Sequence, residues 1–404
     1  MTNPILREDV QDFIKEHFRD DLPTIALNGP YFEDIDTKVL LDQMSSKFKC
    51  EKKLPTWFNT EGILYPPKLS IEQSSSEITA RFKSSLIKGK SLIDLTGGYG
   101  VDTYYLAQSI AQVTHCEIDL ELSQIAKHNF IQLGQYNINT YCVDGIELVS
   151  HLPEKADWVY LDPARRSQTK QRVFKLEDCT PNILKNIDLL FKHTKNIMLK
   201  TAPFLDISLG IKQLKQVEAI YVVAVNNEVK ELLWLLRSNV NKLPQIHAVN
   251  LTENSVWSHS ETWPIQSKSI ETSEVQRFLY EPLASALKAS IHHNISSPLG
   301  LFKIHPQTHL YTSNQFVEFP GQTYRVLQVE AYNLKGFKAM TLSQANFKVR
   351  NAPDRTEIIR KKFKFKDGGK YYLFFTTDHS GKGCIIKTIK VDFNIRFCGN
   401  KLFD

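Results

Sequence analysis

Between residues 68 and 240 the chain alternates short apolar runs with helix-length amphipathic segments. The runs are Ser91–Leu95, Val113–Ile118, Thr140–Val143, Trp158–Leu161, Asn196–Leu199, Ala219–Val225 and Glu231–Leu236. Segments such as Asp102–Ile110 and Leu120–Leu133 fit helices between them. Apolar strands spaced by helices predict a parallel, doubly wound sheet covered on both faces. The last two runs stand too close together for a helical crossover, so they are expected to pair antiparallel.

The flanks read differently. Val10, Phe13, Ile14 and Phe18 fall at helical spacing behind Glu8 and Asp9, and Val39, Leu40 and Met44 mark a second helix from Asp36 to about Phe48. Leu54-Pro55 and Pro66-Pro67 interrupt this region, because proline cannot continue a helix interior. Beyond Asn239 the pattern loosens into a polar, Ser/Thr-containing stretch. A compact segment follows from Phe278 to Pro320. The last segment predicts strand Tyr324–Ala331, helix Leu334–Ala345, strand Phe347–Arg350, helix Arg355–Phe363 and strands Lys370–Thr377 and Gly383–Asp392. The expected divisions are therefore a helical region 1–67, an α/β domain 68–240, a linker 241–277, a small segment 278–321 and an α+β module 322–404.

At 404 residues several folding units are expected, and the 42% hydrophobic and 23% charged composition is that of an ordinary globular chain. No apolar run reaches the roughly 20 residues of a membrane span, and residues 1–9 lack the order of a signal peptide. The expectation is a cytoplasmic protein without a membrane partner. Six cysteines and twelve histidines are scattered, with no pair of cysteines at metal-knuckle spacing, so no metal site is expected. Charge is uneven. The net charge is +6, yet residues 324–404 hold 17 Lys/Arg against 7 Asp/Glu. That basic end points to a polyanionic partner, and Arg360, Lys361 and Lys362 lie in its densest part.

Candidate chemistry sits at the ends of the predicted strands. Asp94-Leu-Thr-Gly-Gly-Tyr-Gly100 joins the first strand to a helix, and its glycines permit backbone angles and close approaches that other residues resist. Thr96, Gly97, Gly98 and Gly100 line this turn. The second strand ends at Glu117 and Ile118, where a carboxylate can accept both hydroxyls of a ribose. The third ends at Asp144-Gly145, an acid placed to accept an adenine amino group. Successive acids at three strand ends fit a nucleoside-bearing cofactor. Thr103, three residues after Gly100, departs from the Gly-x-Gly-x-x-Gly of dinucleotide enzymes.

A parallel sheet closed by an antiparallel strand, with these acids, resembles the class I S-adenosylmethionine-dependent methyltransferases. Asp162-Pro-Ala-Arg-Arg166, ending the fourth strand, is similar to the Asp/Asn/Ser-Pro-Pro-aromatic loop of nucleic-acid methyltransferases. There an acid or amide and a main-chain carbonyl hold an amine beside the methyl donor. That likeness implies Asp162, Pro163 and Arg165 as catalytic-loop residues, with Asp162 also beside the cofactor. The aromatic of the motif is replaced by Arg165, which argues against a flipped adenine. Arg165 and Arg166 suit a phosphate or a guanine edge instead. Lys200-Thr201 follows the fifth strand, where a cysteine would be needed for covalent pyrimidine C5 chemistry; none is there. Lys200 is a candidate pocket residue. Ahead of the first strand, Gln73, Ser75, Glu77 and Thr79 belong to a segment similar to one that closes over the cofactor carboxylate in several RNA methyltransferases, although Ser75 or Ser76 also suits simple helix capping.

Together with Asn226-Asn-Glu-Val-Lys-Glu-Leu-Leu233, these motifs resemble a bacterial group of class I methyltransferases carrying a THUMP-like domain, over nearly the whole chain. The resemblance implies a small ferredoxin-like piece near 278–321 and a THUMP-like module after it, and THUMP domains accompany tRNA-modifying enzymes. The expected function is methylation of a nitrogen of an RNA base, guanine preferred, in tRNA or rRNA. Two alternatives stay open: a small-molecule or protein methyltransferase, and an RNA-binding protein that retains the fold without catalysis.

Overall fold

The computed structural model describes residues 3–165 and 175–391, and of Arg165 only the main chain. The chain divides into two units, residues 1–220 with 231–242, and residues 221–230 with 243–404. Among the described residues no helix is long and apolar enough to cross a membrane.

The first unit opens with helices α1 (Glu8–His17), α2 (Leu22–Asn28), α3 (Thr37–Lys53) and α4 (Pro55–Asn59). Asp21 and Asp36 cap α2 and α3 by accepting main-chain N–H bonds. Helix α3 runs past the predicted end at Phe48, and proline starts α4 rather than only ending α3, because a first-turn N–H has no helical partner to lose. Short helices α5 (Lys68–Gln73) and α6 (Glu77–Ser85) lead into the sheet. The N-terminal region is not a separate body. Trp57, Tyr65 and Ile71 share one core with Tyr99, Tyr104, Tyr105 and Phe130 of the α/β domain.

The sheet strands of this unit are β1 (Gly89–Asp94), β2 (Ile110–Cys116), β3 (Ile138–Tyr141) and β4 (Ala156–Leu161), separated by α7 (Val101–Leu106), α8 (Leu120–Gln132) and α9 (Gly145–Ser150). A two-stranded ribbon, β5 (Ala164–Arg165) with β6 (Cys179–Thr180), follows β4. Then come α10 (Ile183–His193), β7 (Thr194–Thr201) and α11 (Ile207–Leu214). The hairpin of β8 (Val217–Val225) and β9 (Glu228–Arg237) ends the domain, its tip, Tyr221–Lys230, falling in the second unit. Strand order within the first unit is β3-β2-β1-β4-β7-β9. Every pairing from β3 to β7 is parallel, and β9 is antiparallel to β7, as the spacing predicts. Leu92, Val113, Val159, Leu161 and Ile197 are buried because helices cover both faces.

In the second unit the stretch expected to be a linker forms a hairpin, β10 (Gln245–Leu251) with β11 (Val256–Thr262). Ile246, Ala248, Val249 and Leu251 are buried while β11 alternates partly and fully exposed positions. That polar face made the pair resemble a loop. A seven-stranded sheet follows, built from β12 (Phe278–Pro282), β13 (Phe302–Lys303), β14 (Tyr311–Ser313), β15 (Gly321–Ala331), β16 (Gln344–Val349), β17 (Lys366–Thr377) and β18 (Gly383–Lys390). Its order is β13-β14-β12-β15-β18-β17-β16. The β12–β15 pairing makes the segments before and after residue 321 one sheet. Helices α12 (Ala284–Lys288) and α13 (His292–Ser296) lie between β12 and β13, α14 (Leu334–Ala339) after β15, and α15 (Thr356–Phe363) after β16. Helix α14 stops well short of the predicted Ala345, since Thr341 takes a left-handed φ of 49°.

Candidate cofactor and methyl-acceptor site

The sheet register brings the predicted acids to one edge. Asp94 stands level with His115 on β2 and Tyr160 on β4, and Leu161 stands level with Leu199 on β7. Glu117 and Asp162 each lie one residue beyond their strands, and Asp144 lies beyond β3. This carboxyl edge of an open parallel sheet is where such folds bind ligands.

Asp94 is buried and accepts from the Thr96 main-chain N–H (3.0 Å) and the Thr103 hydroxyl (2.7 Å), so it holds the glycine turn to the start of α7. Burial, opposed by those hydrogen bonds, raises its pKa to about 7. Gly98 and Gly100 take left-handed φ values of 53° and 85°. Gly97 is packed from behind: a Cβ there would lie 2.2 Å from His115 Nε2. Gly98 by contrast would meet nothing closer than the Thr96 carbonyl at 4.0 Å, so its outer face is open. Tyr99 secures the turn from the other side, packing on Trp57 and donating to the Leu64 carbonyl (3.2 Å).

Glu117 accepts from Gly98 N–H (2.8 Å) through one oxygen and from Asp119 N–H (2.9 Å) through the other. A carboxylate has about four acceptor positions, so two remain for hydroxyls. Asp144 caps α9 through Oδ1, taking the N–H groups of Ile146 (2.8 Å) and Glu147 (3.3 Å). Gly145 sits tight against Leu95, where a Cβ would come within 2.6 Å of its Cα. Ile118 is 73% exposed and Tyr141 45% exposed, an apolar lip beside Glu117 and Asp144. Donors, acceptors and open apolar surface here fit the ribose and adenine of a nucleoside-bearing cofactor.

Asp162 donates its main-chain N–H to the Thr96 hydroxyl (2.7 Å), joining the β4 loop to the glycine turn. Its Oδ2 forms an ion pair with Lys200. Burial lowers the Lys200 pKa, but the carboxylates of Asp162, Asp102 and Glu231 outweigh it and hold the ammonium charged, above the ordinary lysine range. Pro163 is buried, and the main chain of Arg165 is held in the β5–β6 ribbon. The expectation for Arg166 falls outside the described residues. Phe204, four residues after Lys200, is 80% exposed. It is an aromatic surface near the end of β7 that the sequence pattern did not single out.

The segment ahead of β1 is placed differently from residue to residue. Gln73 is exposed at the end of α5. Ser75 is buried and donates to Asp102 Oδ2 (2.8 Å). Glu77 is committed to the N-terminal helices, accepting from Thr56 N–H and hydroxyl (2.9 Å each) and from Arg81 (2.6 Å). The Thr79 hydroxyl donates to the Ser76 carbonyl (3.0 Å). Behind them lies a charged cluster that no motif indicated. Lys83 is wholly buried, 2.8 Å from Glu231 and 3.2 Å from Asp102, and Tyr160 donates to Asp102 (2.6 Å). Arg360, Lys361 and Lys362 are exposed on α15 in the other unit. Arg360 lies over Phe347 (5.1 Å), and Lys362 lies over Tyr332 (4.3 Å) and 3.4 Å from Asp354.

The first unit thus has the class I fold of S-adenosylmethionine-dependent methyltransferases. Family profiles match a ferredoxin-like domain at residues 278–320 and a THUMP domain-like region at 321–388. Over 96% of this chain and 98% of the other, the structure superposes on that of a "putative methyltransferase" from Porphyromonas gingivalis W83, with 29% identity and a TM-score of 0.81. This chain is accordingly a class I methyltransferase fold joined to ferredoxin-like and THUMP-like modules. TrmK from M. capricolum in complex with S-adenosyl-homocysteine matches 39% of this chain and 67% of its own (14% identity, TM-score 0.31). The M. jannaschii tRNA m1G37 methyltransferase matches 42% and 51% (12%, 0.29). No curated protein matches the chain.

Proposed function

We propose that the chain is an S-adenosylmethionine-dependent methyltransferase acting on a nitrogen of an RNA base, guanine preferred, in tRNA or rRNA. The observation that carries this reading is the convergence of Asp94, Glu117, Asp144 and Asp162 on the carboxyl edge of the sheet, around a glycine turn open at Gly98. Bound S-adenosylmethionine supplies an electrophilic methyl group. Glu117 offers its remaining acceptor positions to the ribose hydroxyls. Asp144, with Ile118 and Tyr141, offers an acceptor and apolar flanks to the adenine. Asp94 and Thr96 hold the turn, and Thr96 carries its alignment to Asp162.

Asp162 acts as a hydrogen-bond acceptor that aims an amine, with the Pro163 carbonyl beside it. Its other oxygen is held in the ion pair with Lys200, which fixes the carboxylate so that it can orient the amine. The excess of basic residues over acidic ones in residues 324–404 supports a polyanionic substrate, with Arg360, Lys361 and Lys362 on its phosphates. Arg165 and Arg166 are assigned to the substrate base or phosphate.

The test uses RNA from cells lacking the gene. Asp162→Ala is expected to lower methyl transfer by roughly 10²-fold or more, beyond any loss of S-adenosylmethionine affinity read by calorimetry. Full transfer by that variant would remove Asp162 from the mechanism.

A further inference from the structure

His292, His293 and His309 converge in the second unit although the sequence shows no metal spacing. His292 and His293 open the five-residue helix α13, and His309 comes from the loop between β13 and β14. The ring of His292 lies 4.5 Å from that of His293 and 4.4 Å from that of His309, centre to centre. One ring nitrogen of each lies within 4.8 Å of the other two. Adjacent residues diverge by about 100° around a helix, which argues against a shared ligand from His292 and His293 alone. The β13–β14 loop supplies the third ring from outside the helix.

His292 is the telling member. It is 6% exposed, and neither of its ring nitrogens makes a hydrogen bond of good geometry, although the Ala286 main chain approaches the ring. A buried imidazole left without partners costs free energy, and such groups often mark an absent water or ion. Its neighbours grade outward: His293 is half-buried and His309 exposed, so the cluster has one open side. A cleft of about 740 Å³ lined by Lys268, Glu271, His293, Lys303 and Pro306 adjoins it.

We propose that His292, His293 and His309 form a three-imidazole site for a late first-row divalent cation, zinc being the best fit. Three histidines with a fourth, open position is a recognised zinc arrangement, and imidazole suits zinc among the common cations. Bonds of about 2.0–2.1 Å need nitrogens about 3.4 Å apart, so the rings must close in. The exposed His309 and half-exposed His293 have room to turn. Lys303 opposes the cation electrostatically, although its ammonium is bound to the Pro306 carbonyl. That charge favours an anionic oxygen at the open position. Binding would clip α13 to the β13–β14 loop.

Untagged full-length protein, stripped with chelator and dialysed, tests this by zinc titration calorimetry and elemental analysis. The expected result is one zinc per chain, weakened on the order of tenfold or more by either His293→Ala or His309→Ala. Both variants should keep the far-ultraviolet circular dichroism of the unaltered chain, since neither removes a wholly buried side chain. Cobalt substitution should give visible bands of nitrogen coordination that both variants lose. Failure to bind stoichiometric zinc, or equal affinity in the two variants and the unaltered chain, would overturn the site. The site stands independently of the methyltransferase reading.

Discussion

At the scale of single residues, the glycine turn shows how backbone space and charge set a binding edge. Gly97 is required by the ring behind it, since His115 is buried and backed by Phe130 at 5.5 Å between ring centres. Gly97→Ala is expected to cost about 1–3 kcal/mol through overpacking and to weaken S-adenosylmethionine binding as the turn shifts. Denaturant unfolding and calorimetry check both. Asp94 carries the pH dependence. Its pKa is raised from 3.8 to about 7 by burial. A carboxyl raised on folding contributes stability below its unfolded pKa, and that contribution fades as pH rises through the folded value. Between pH 4 and 7 the unliganded chain should therefore lose stability relative to Asp94→Asn. Parallel unfolding curves for the two at every pH would contradict the assignment. The sequence could locate this turn because glycines and an acid at a strand end form a local pattern. It could not show which glycine is packed from behind and which is open, because His115 comes from the neighbouring strand.

Among elements, the buried charges explain how α6, α7 and β9 are held behind the site. Lys83 on α6 bridges Asp102 on α7 and Glu231 on β9, 148 positions further along the chain. Removing one member of such a group leaves the others buried and uncompensated. Lys83→Met should destabilise by about 3–5 kcal/mol, measured by chemical denaturation, and adding Glu231→Leu should recover part of that loss. An unchanged midpoint for Lys83→Met would mean the cluster carries little. The parallel strands were legible because burial on both faces leaves near-continuous apolar runs such as Trp158–Leu161. The hairpin at 245–262 was not, because its outward face is polar. Helix α14 was overextended for another reason: a left-handed Thr341 ends it, and no proline or glycine marks the spot. Glu77 and Thr79, assigned to the cofactor by their motif, hydrogen-bond to Thr56, Arg81 and Ser76.

For the whole molecule, the two units divide the proposed work between chemistry and grip. The basic excess in residues 324–404 is visible in the sequence alone. RNA affinity should fall steeply with salt, by a log–log slope of about 0.7–0.9 per phosphate neutralised. Replacing Arg360, Lys361 and Lys362 together by alanine should flatten that slope without abolishing S-adenosylmethionine binding; filter binding across a salt series reads it. Methyl transfer to an RNA base is read by incubating the chain with isotope-labelled S-adenosylmethionine and total RNA from cells lacking the gene, then resolving the nucleosides by mass spectrometry. Label is expected in a nitrogen-methylated nucleoside, guanosine before others, and reduced by roughly 10²-fold with Asp162→Ala. Label confined to protein or small-molecule fractions would contradict it.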